Sequence, residues 1–236
     1  MSSTKTTIEW TDKTWNPTTG CTKVSPGCKF CYAEGITRRF KQAFPSGFDF
    51  AIHRERLDQP KKWKRQSKIF VNSMSDVFHE DMPYEFLAEI FDVIIKCPQH
   101  IFQILTKRSA KLSELASALP WPDNLWVGVS VESQKQVFRV DDLRRVPARV
   151  RFLSCEPLLG PLELDLTGIH WVITGGESGA SARPIDPEWV RSIRDQCVEQ
   201  GVAFFHKQWG GRSPKANGRL LDGRLWSEFP VVEQPV

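Results

Sequence analysis

IFVNSMSDVFHEDMPYEFLAEIFDVIIKCPQHIFQIL, residues Ile69 to Leu105, holds a complete strand, loop, helix and strand. Ile69 to Asn72 and Phe102 to Leu105 are short runs rich in Ile, Phe and Val, the composition of strands covered on both faces. Between them Pro83 opens a helix to Lys96, since the N–H that proline lacks would have no partner in a first turn anyway. Phe86, Ile90 and Val93 form its apolar stripe, and Cys97 extends it as a small hydrophobe. The alternation continues in both directions. Strands are expected near Ile8 to Thr11, Trp126 to Val131, Val150 to Leu153, Trp171 to Thr174 and Ala203 to His206. Helices are expected over Gln134 to Arg145 and over Pro187 to Gln200, the latter with Asp186 as N-cap and Gly201 as stop. Six or seven βα units in 236 residues make an α/β fold, read as a partial or compact (β/α) barrel in a single domain, 1–236. A doubly wound open sheet yields the same string of elements. The Gly/Pro-punctuated tail, 210–236, is expected to be mobile.

With 40% hydrophobic and 25% charged residues the chain can bury a core, which excludes wholesale disorder. No run reaches the roughly 18 apolar residues of a membrane span, and Met1 to Lys13 is polar where a signal peptide is apolar. A cytoplasmic protein without a membrane partner is expected. The net charge of +4 is unevenly spread. Trp63 stands among Lys61, Lys62, Lys64 and Arg65, a flat ring among cations that suits stacking a base and neutralising phosphates. The competing reading is a solvated segment with Trp63 anchored in the core.

Both architectures place functional groups after the carboxyl ends of strands. Those loops carry Ser73, Ser75 and Asp76; Ser130 and Glu132; Cys155 and Glu156; Gly175, Gly176 and Glu177; and Lys207. The Gly175–Gly179 turn lets backbone N–H groups approach an anionic ligand but matches no nucleotide fingerprint. The strongest signal is Cys21-x6-Cys28-x2-Cys31, with loop Asn16 to Pro26 between the first strand and a helix starting near Lys29. Three thiolates near one point suit either zinc, with His53 or His79 brought in by the fold, or an iron–sulfur cluster with one iron left open.

A three-cysteine loop after the first strand of a (β/α) barrel, with Phe30 immediately before Cys31, resembles the radical S-adenosylmethionine (SAM) superfamily, although the usual spacing is three residues then two and here it is six then two. Residues 8 to 210 further resemble a phage-associated family of three-Cys-motif proteins carried by phages, prophages and bacteria. The matching segments include Ile8-Glu9-Trp10-Thr11, Trp15-Asn16-Pro17, Gly20-Cys21, Cys31-Tyr32-Ala33-Glu34, Asn72-Ser73-Met74-Ser75-Asp76, Leu105-Thr106-Lys107-Arg108, Ser154-Cys155-Glu156-Pro157 and Gly175-Gly176-Glu177-Ser178-Gly179.

The resemblance implies that Cys21, Cys28 and Cys31 hold a [4Fe–4S] cluster, that SAM binds its open iron, and that a reductant protein supplies the electron. It also implies a separate three-Cys-motif partner protein. By position, Ser73, Ser75 and Asp76 would hold the SAM amino group, Ser130 and Glu132 the ribose, and Gly175 and Gly176 approach the cofactor. Glu156, Glu177 and Lys207 are substrate-side candidates, and Cys155 is either a hydrogen-atom donor or a buried structural thiol. Two other readings stay open: a metal-dependent hydrolase or nuclease using Asp76, Glu132, Glu156 and Glu177 with a structural zinc, and a non-catalytic nucleic-acid-binding partner protein.

Overall fold

The computed structural model describes residues 6–213 and 215–231. Seven parallel strands form one sheet: β1 (Lys13–Trp15), β2 (Lys68–Val71), β3 (Ile101–Thr106), β4 (Leu125–Ser130), β5 (Val150–Cys155), β6 (Trp171–Gly175) and β7 (Ala203–Gln208). Their spatial order is their chain order, and β1 and β7 are not paired. A doubly wound sheet would reverse direction at a switch point; none is present. Right-handed crossovers in strictly sequential order put every connecting helix on one face, so the sheet curls into a half-barrel with a concave inner face. The helices are α1 (Tyr32–Arg39), α2 (Tyr84–Ile95), α3 (Ser109–Leu115), α4 (Phe138–Arg144) and α5 (Pro187–Glu199). Asp186 caps α5 by accepting from the Glu188 N–H at 2.9 Å, as its sequence implied.

Alternation along each strand divides the core in two. Val127, Val129, Leu153 and Val172 face the helices and pack with Phe86, Ile90, Leu143 and Ile193. Phe70, Trp126, Phe152, Trp171 and Phe205 face inward and fill the half-barrel. Trp171 is fully buried, with ring centroids 6.0 Å from Trp126 and 5.6 Å from Phe152.

Three expectations are corrected. Ile8 to Thr11 is a turn, its Thr11 N–H donating to the Ile8 carbonyl, and it delivers Trp10 onto Phe70 at 4.7 Å. The first strand is instead Lys13–Trp15, paired with β2. A three-residue edge strand with one neighbour needs little apolar content, so its polar Lys13 and Thr14 carry no strand signal. The helix expected over Gln134 to Arg145 is a 3₁₀ turn, Gln134–Gln136, followed by α4. The tail is packed at one described segment, while 215–218 and 222–225 are exposed: Trp226 is buried, the Trp171 indole donates to the Glu228 carbonyl at 2.8 Å, and Ser227 pairs antiparallel with Phe205. This segment covers the otherwise open edge of β7. Residues 232–236 of that expectation lie outside the described residues. Among the described residues no helix is long and apolar enough to cross a membrane.

Candidate functional site

The cysteine loop leaves the carboxyl end of β1 and so lies over the rim where all seven strands end. Gly20, at φ +82°, starts it; a Cβ there would lie 1.9 Å from the Asp49 carbonyl oxygen. The Gly20 N–H donates to the Met74 carbonyl, and Ser75 Oγ donates to the Gly20 carbonyl at 2.7 Å. Ser25 precedes a 3₁₀ turn over Pro26–Cys28, and α1 begins directly after Cys31. All three thiols are free and half-buried.

Three rim carboxylates fasten this loop, each through an arginine or beside one. Asp76 uses both oxygens within the protein: Oδ1 accepts from Thr106 Oγ1 at 2.7 Å and the Phe78 N–H at 3.0 Å, and Oδ2 from the Lys107 N–H at 3.2 Å and Arg108 Nη1 at 3.3 Å. A carboxylate offers about four acceptor positions, so Asp76 is fully engaged. Arg108 in turn donates to Cys21 Sγ at 3.4 Å and Thr22 Oγ1 at 2.7 Å. Glu132, fully buried, accepts from Ser25 Oγ and from the Gly27 N–H on one oxygen and from Arg139 Nη1 at 2.9 Å on the other. Glu177 accepts from the Arg183 N–H at 3.0 Å and from its guanidinium, and that guanidinium donates to the Pro26 carbonyl at 3.1 Å and lies over the Phe30 ring at 5.4 Å. The six-residue gap between Cys21 and Cys28 is therefore pinned to the loops after β3, β4 and β6.

Asp76 and Glu132, expected to hold SAM directly, are engaged within the protein: Asp76 meets the cysteine loop through Arg108, Glu132 meets it at Ser25 and Gly27, and Glu177 faces it through Arg183. Glycine at 175 and 176 answers to packing within the chain: a Cβ at Gly176 would lie 2.0 Å from the Trp209 carbonyl oxygen, and one at Gly175 would meet the Glu156 carboxyl at 3.1 Å. Ser73 Oγ donates to Asn16 Oδ1 at 3.2 Å. Cys155 is not at the mouth. On β5, Phe152 and Ser154 share the inner face, so Cys155 points to the helices, where burial drives its thiol pKa far up.

The inner rim holds two half-buried lysines. Lys207 Nζ donates to Glu156 Oε1 at 2.6 Å, and Lys107 Nζ donates to Ser130 Oγ at 3.1 Å. Glu156, Lys207, Lys107 and Ser130 thus form the polar lining above the aromatic filling. The Lys61 to Arg65 segment lies elsewhere. It runs into the amino end of β2, where the His100 ring contacts the Pro60 carbonyl at 3.2 Å, so it sits at the opposite end of the half-barrel. Trp63 is packed against the core with Lys13 over its ring at 5.2 Å, and Lys61 pairs with Asp58 at 2.6 Å.

Arg108 ends a matched rim segment, although its sequence assigns it no role, whereas Arg139 and Arg183 were missed. Nothing local marks those two; their roles arise from contacts across 7 and 157 residues of chain.

The histidines considered as zinc ligands are committed. His53 Nε2 meets Thr19 Oγ1 at 2.8 Å, and His79 stacks on Phe50 at 4.5 Å with Nδ1 accepting from the Asp81 N–H. Among the described residues no three His, Cys, Asp or Glu side chains are grouped to hold one metal ion. An iron–sulfur cluster takes one thiolate per iron at separate corners. The donor set suits such a group, because Arg108 also has a buried Nε with no acceptor beside Cys21, an unmet donor next to where an anionic sulfur assembly would bind. Burial and then Asp76 push the Cys21 thiol up to about 11, against the opposing Arg108, so ligand formation would expel a proton.

Fold and site together define a sequentially wound, seven-stranded α/β half-barrel with a fastened three-cysteine loop at its mouth. The chain is similar to solved spore photoproduct lyases: one complexed with dinucleoside spore photoproduct (TM-score 0.51, 12% identity, 82% of this chain and 64% of that chain), and a mutant with bound AdoMet and dinucleoside spore photoproduct (TM-score 0.50, 12% identity, 80% of this chain and 62% of that chain). At these identities the likeness concerns the fold, and the chain spans less than two thirds of those proteins' length. No curated protein matches the chain in sequence. The profile of the family described as "Protein of unknown function (DUF5131)" matches residues 5–230. The chain belongs to that family.

Proposed function

We propose that this protein is a radical-SAM-type iron–sulfur enzyme in which Cys21, Cys28 and Cys31 hold a [4Fe–4S] cluster. The observation that carries this reading is the convergence of Arg108, the Glu132–Arg139 pair and Arg183 on the loop bearing the three thiols, at the rim of a sequentially wound half-barrel. Bound there, the cluster and SAM would supply radical hydrogen-abstraction chemistry. The chain's own residues do the positioning. Ser73 and Ser130 stay as SAM-side candidates, Ser75 acts through Gly20, and Glu156, Lys207 and Lys107 line the mouth and would orient a substrate carrying anionic groups.

A nucleic-acid-derived substrate is the proposed class, supported by the mouth lysines and by the dinucleoside ligand of the similar structures. The proposal includes a phage-associated setting, a three-Cys-motif partner protein, a reductant protein and a cytoplasmic location. The hydrolase reading is not favoured, because Asp76, Glu132, Glu156 and Glu177 are paired with Arg108, Arg139, Lys207 and Arg183 respectively. The test is release of 5′-deoxyadenosine from SAM by the reduced, anaerobically reconstituted protein. Release that is lost in Cys28→Ala supports the proposal; no SAM binding by cluster-loaded protein overturns it.

A further inference from the structure

Arg108 is an unusual neighbour for a thiol. Its side chain is 8% exposed, and among the described residues Asp76, at 3.3 Å, and the exposed Glu80, at 3.7 Å, balance its charge. Asp76 is shared among four donors, three of them other than Arg108. The guanidinium is locked by Thr22 Oγ1 at 2.7 Å and the Thr22 carbonyl at 3.4 Å, which fixes Nη1 at 3.4 Å from Cys21 Sγ. Its Nε is buried without an acceptor. A buried cation costs several kcal/mol unless anions compensate it. Asp76 and Glu80 supply that compensation, and the guanidinium still presents Nη1 to Cys21 Sγ at 3.4 Å.

Resting on the iron–sulfur reading above, we infer that Arg108 is the charge-compensating and positioning residue for the Cys21 corner of the cluster, stabilising its reduced state. A reduced cluster carries one more negative charge than an oxidised one. A cation held beside one ligand sulfur therefore favours reduction, and hydrogen bonds to ligand sulfurs act in the same direction. Arg139 and Arg183 differ in kind: they meet the loop's carboxylate partner and a backbone carbonyl, not a thiol.

The experiment is the midpoint potential of the anaerobically reconstituted full chain, read by EPR of the reduced cluster, alongside iron and sulfide content. The variants are Arg108→Met and Arg108→Gln, which remove the charge, Arg108→Lys, which keeps it, and Arg145→Met, a matched charge loss at an exposed position. Both neutral variants are expected to load iron like wild type with a lower potential, with Arg108→Lys returning toward wild type and Arg145→Met unchanged. If neutral variants fold by circular dichroism but load no iron while Arg108→Lys loads, compensation is needed for uptake itself, and the inference stands. An unshifted potential in loaded Arg108→Met, an equal shift in Arg145→Met, or failure of all three Arg108 variants to load would overturn it. A wild-type protein that takes up no iron would instead fail the underlying reading, and the iron count separates the two.

Discussion

His206 is fully buried beside Trp209, ring centroids 4.4 Å apart, with Nδ1 at 3.0 Å from Thr174 Oγ1 and Nε2 without a partner. Burial, aided by Arg219, lowers its pKa to about 4. In the unfolded chain the group titrates near 6.5, so between these values the unfolded state binds the extra proton. Stability is therefore complete above about pH 7 and lost as pH falls through 6.5 toward 4, by about 3 kcal/mol from this residue alone. Urea unfolding at pH 7 and pH 4.5 should show that loss in wild type and a clearly smaller one in His206→Asn. Gly176 gives a second prediction at this scale. Gly176→Ala drives a Cβ into the Trp209 carbonyl and should cost about 3 kcal/mol. At Gly160 a Cβ meets nothing within 4 Å, so Gly160→Ala should change the urea midpoint little. A Gly-Gly pair reads in sequence as a ligand cradle, but only the returning chain at Trp209 shows what the missing side chains make room for.

The cysteine loop is the element on which the account turns. Glu132 is its central fastening, and Glu132→Ala would strand Arg139 as a buried, uncompensated charge. The expected loss is about 3–5 kcal/mol, measurable by denaturant unfolding, because breaking a buried pair costs more than the pair contributes. Arg183→Met frees the Pro26 carbonyl and Phe30 and also strands the buried Glu177 carboxylate. Limited proteolysis in the loop should accelerate in that variant, with a loss of about 3 kcal/mol in denaturant unfolding. The three cysteines and the rim loops were legible because their residue types are rare at such spacing. Which rim groups face a ligand and which fasten the loop was not, since Asp76 and Glu132 look like any exposed carboxylate until Arg108 and Arg139 arrive from later in the chain.

At the scale of the whole molecule, the inner face is filled by Trp10, Phe70, Trp126, Phe152, Trp171 and Phe205 and closed by Phe229. Trp171 contacts most of these rings, so Trp171→Ala should cost about 3–5 kcal/mol and lower the thermal midpoint accordingly. The strands β2 to β7 were legible from their Val, Ile and Phe runs, whereas their sequential order was not, because a doubly wound sheet is built from the same string of βα units. The edges were not. β1 is too short and polar to announce itself, and the segment at Trp226 to Glu228 becomes part of the structure only by pairing with the free edge of β7.

The most direct test of the central claim is iron and acid-labile sulfide per chain after anaerobic reconstitution, in wild type, Cys28→Ala and Cys97→Ala. Cys28 lies in the fastened loop, whereas Cys97 is buried against the helices. The account predicts about four irons and four sulfides in wild type and Cys97→Ala, and loss of both in Cys28→Ala. Iron-free wild-type protein carrying one tightly bound zinc, or equal iron in all three proteins, would contradict it.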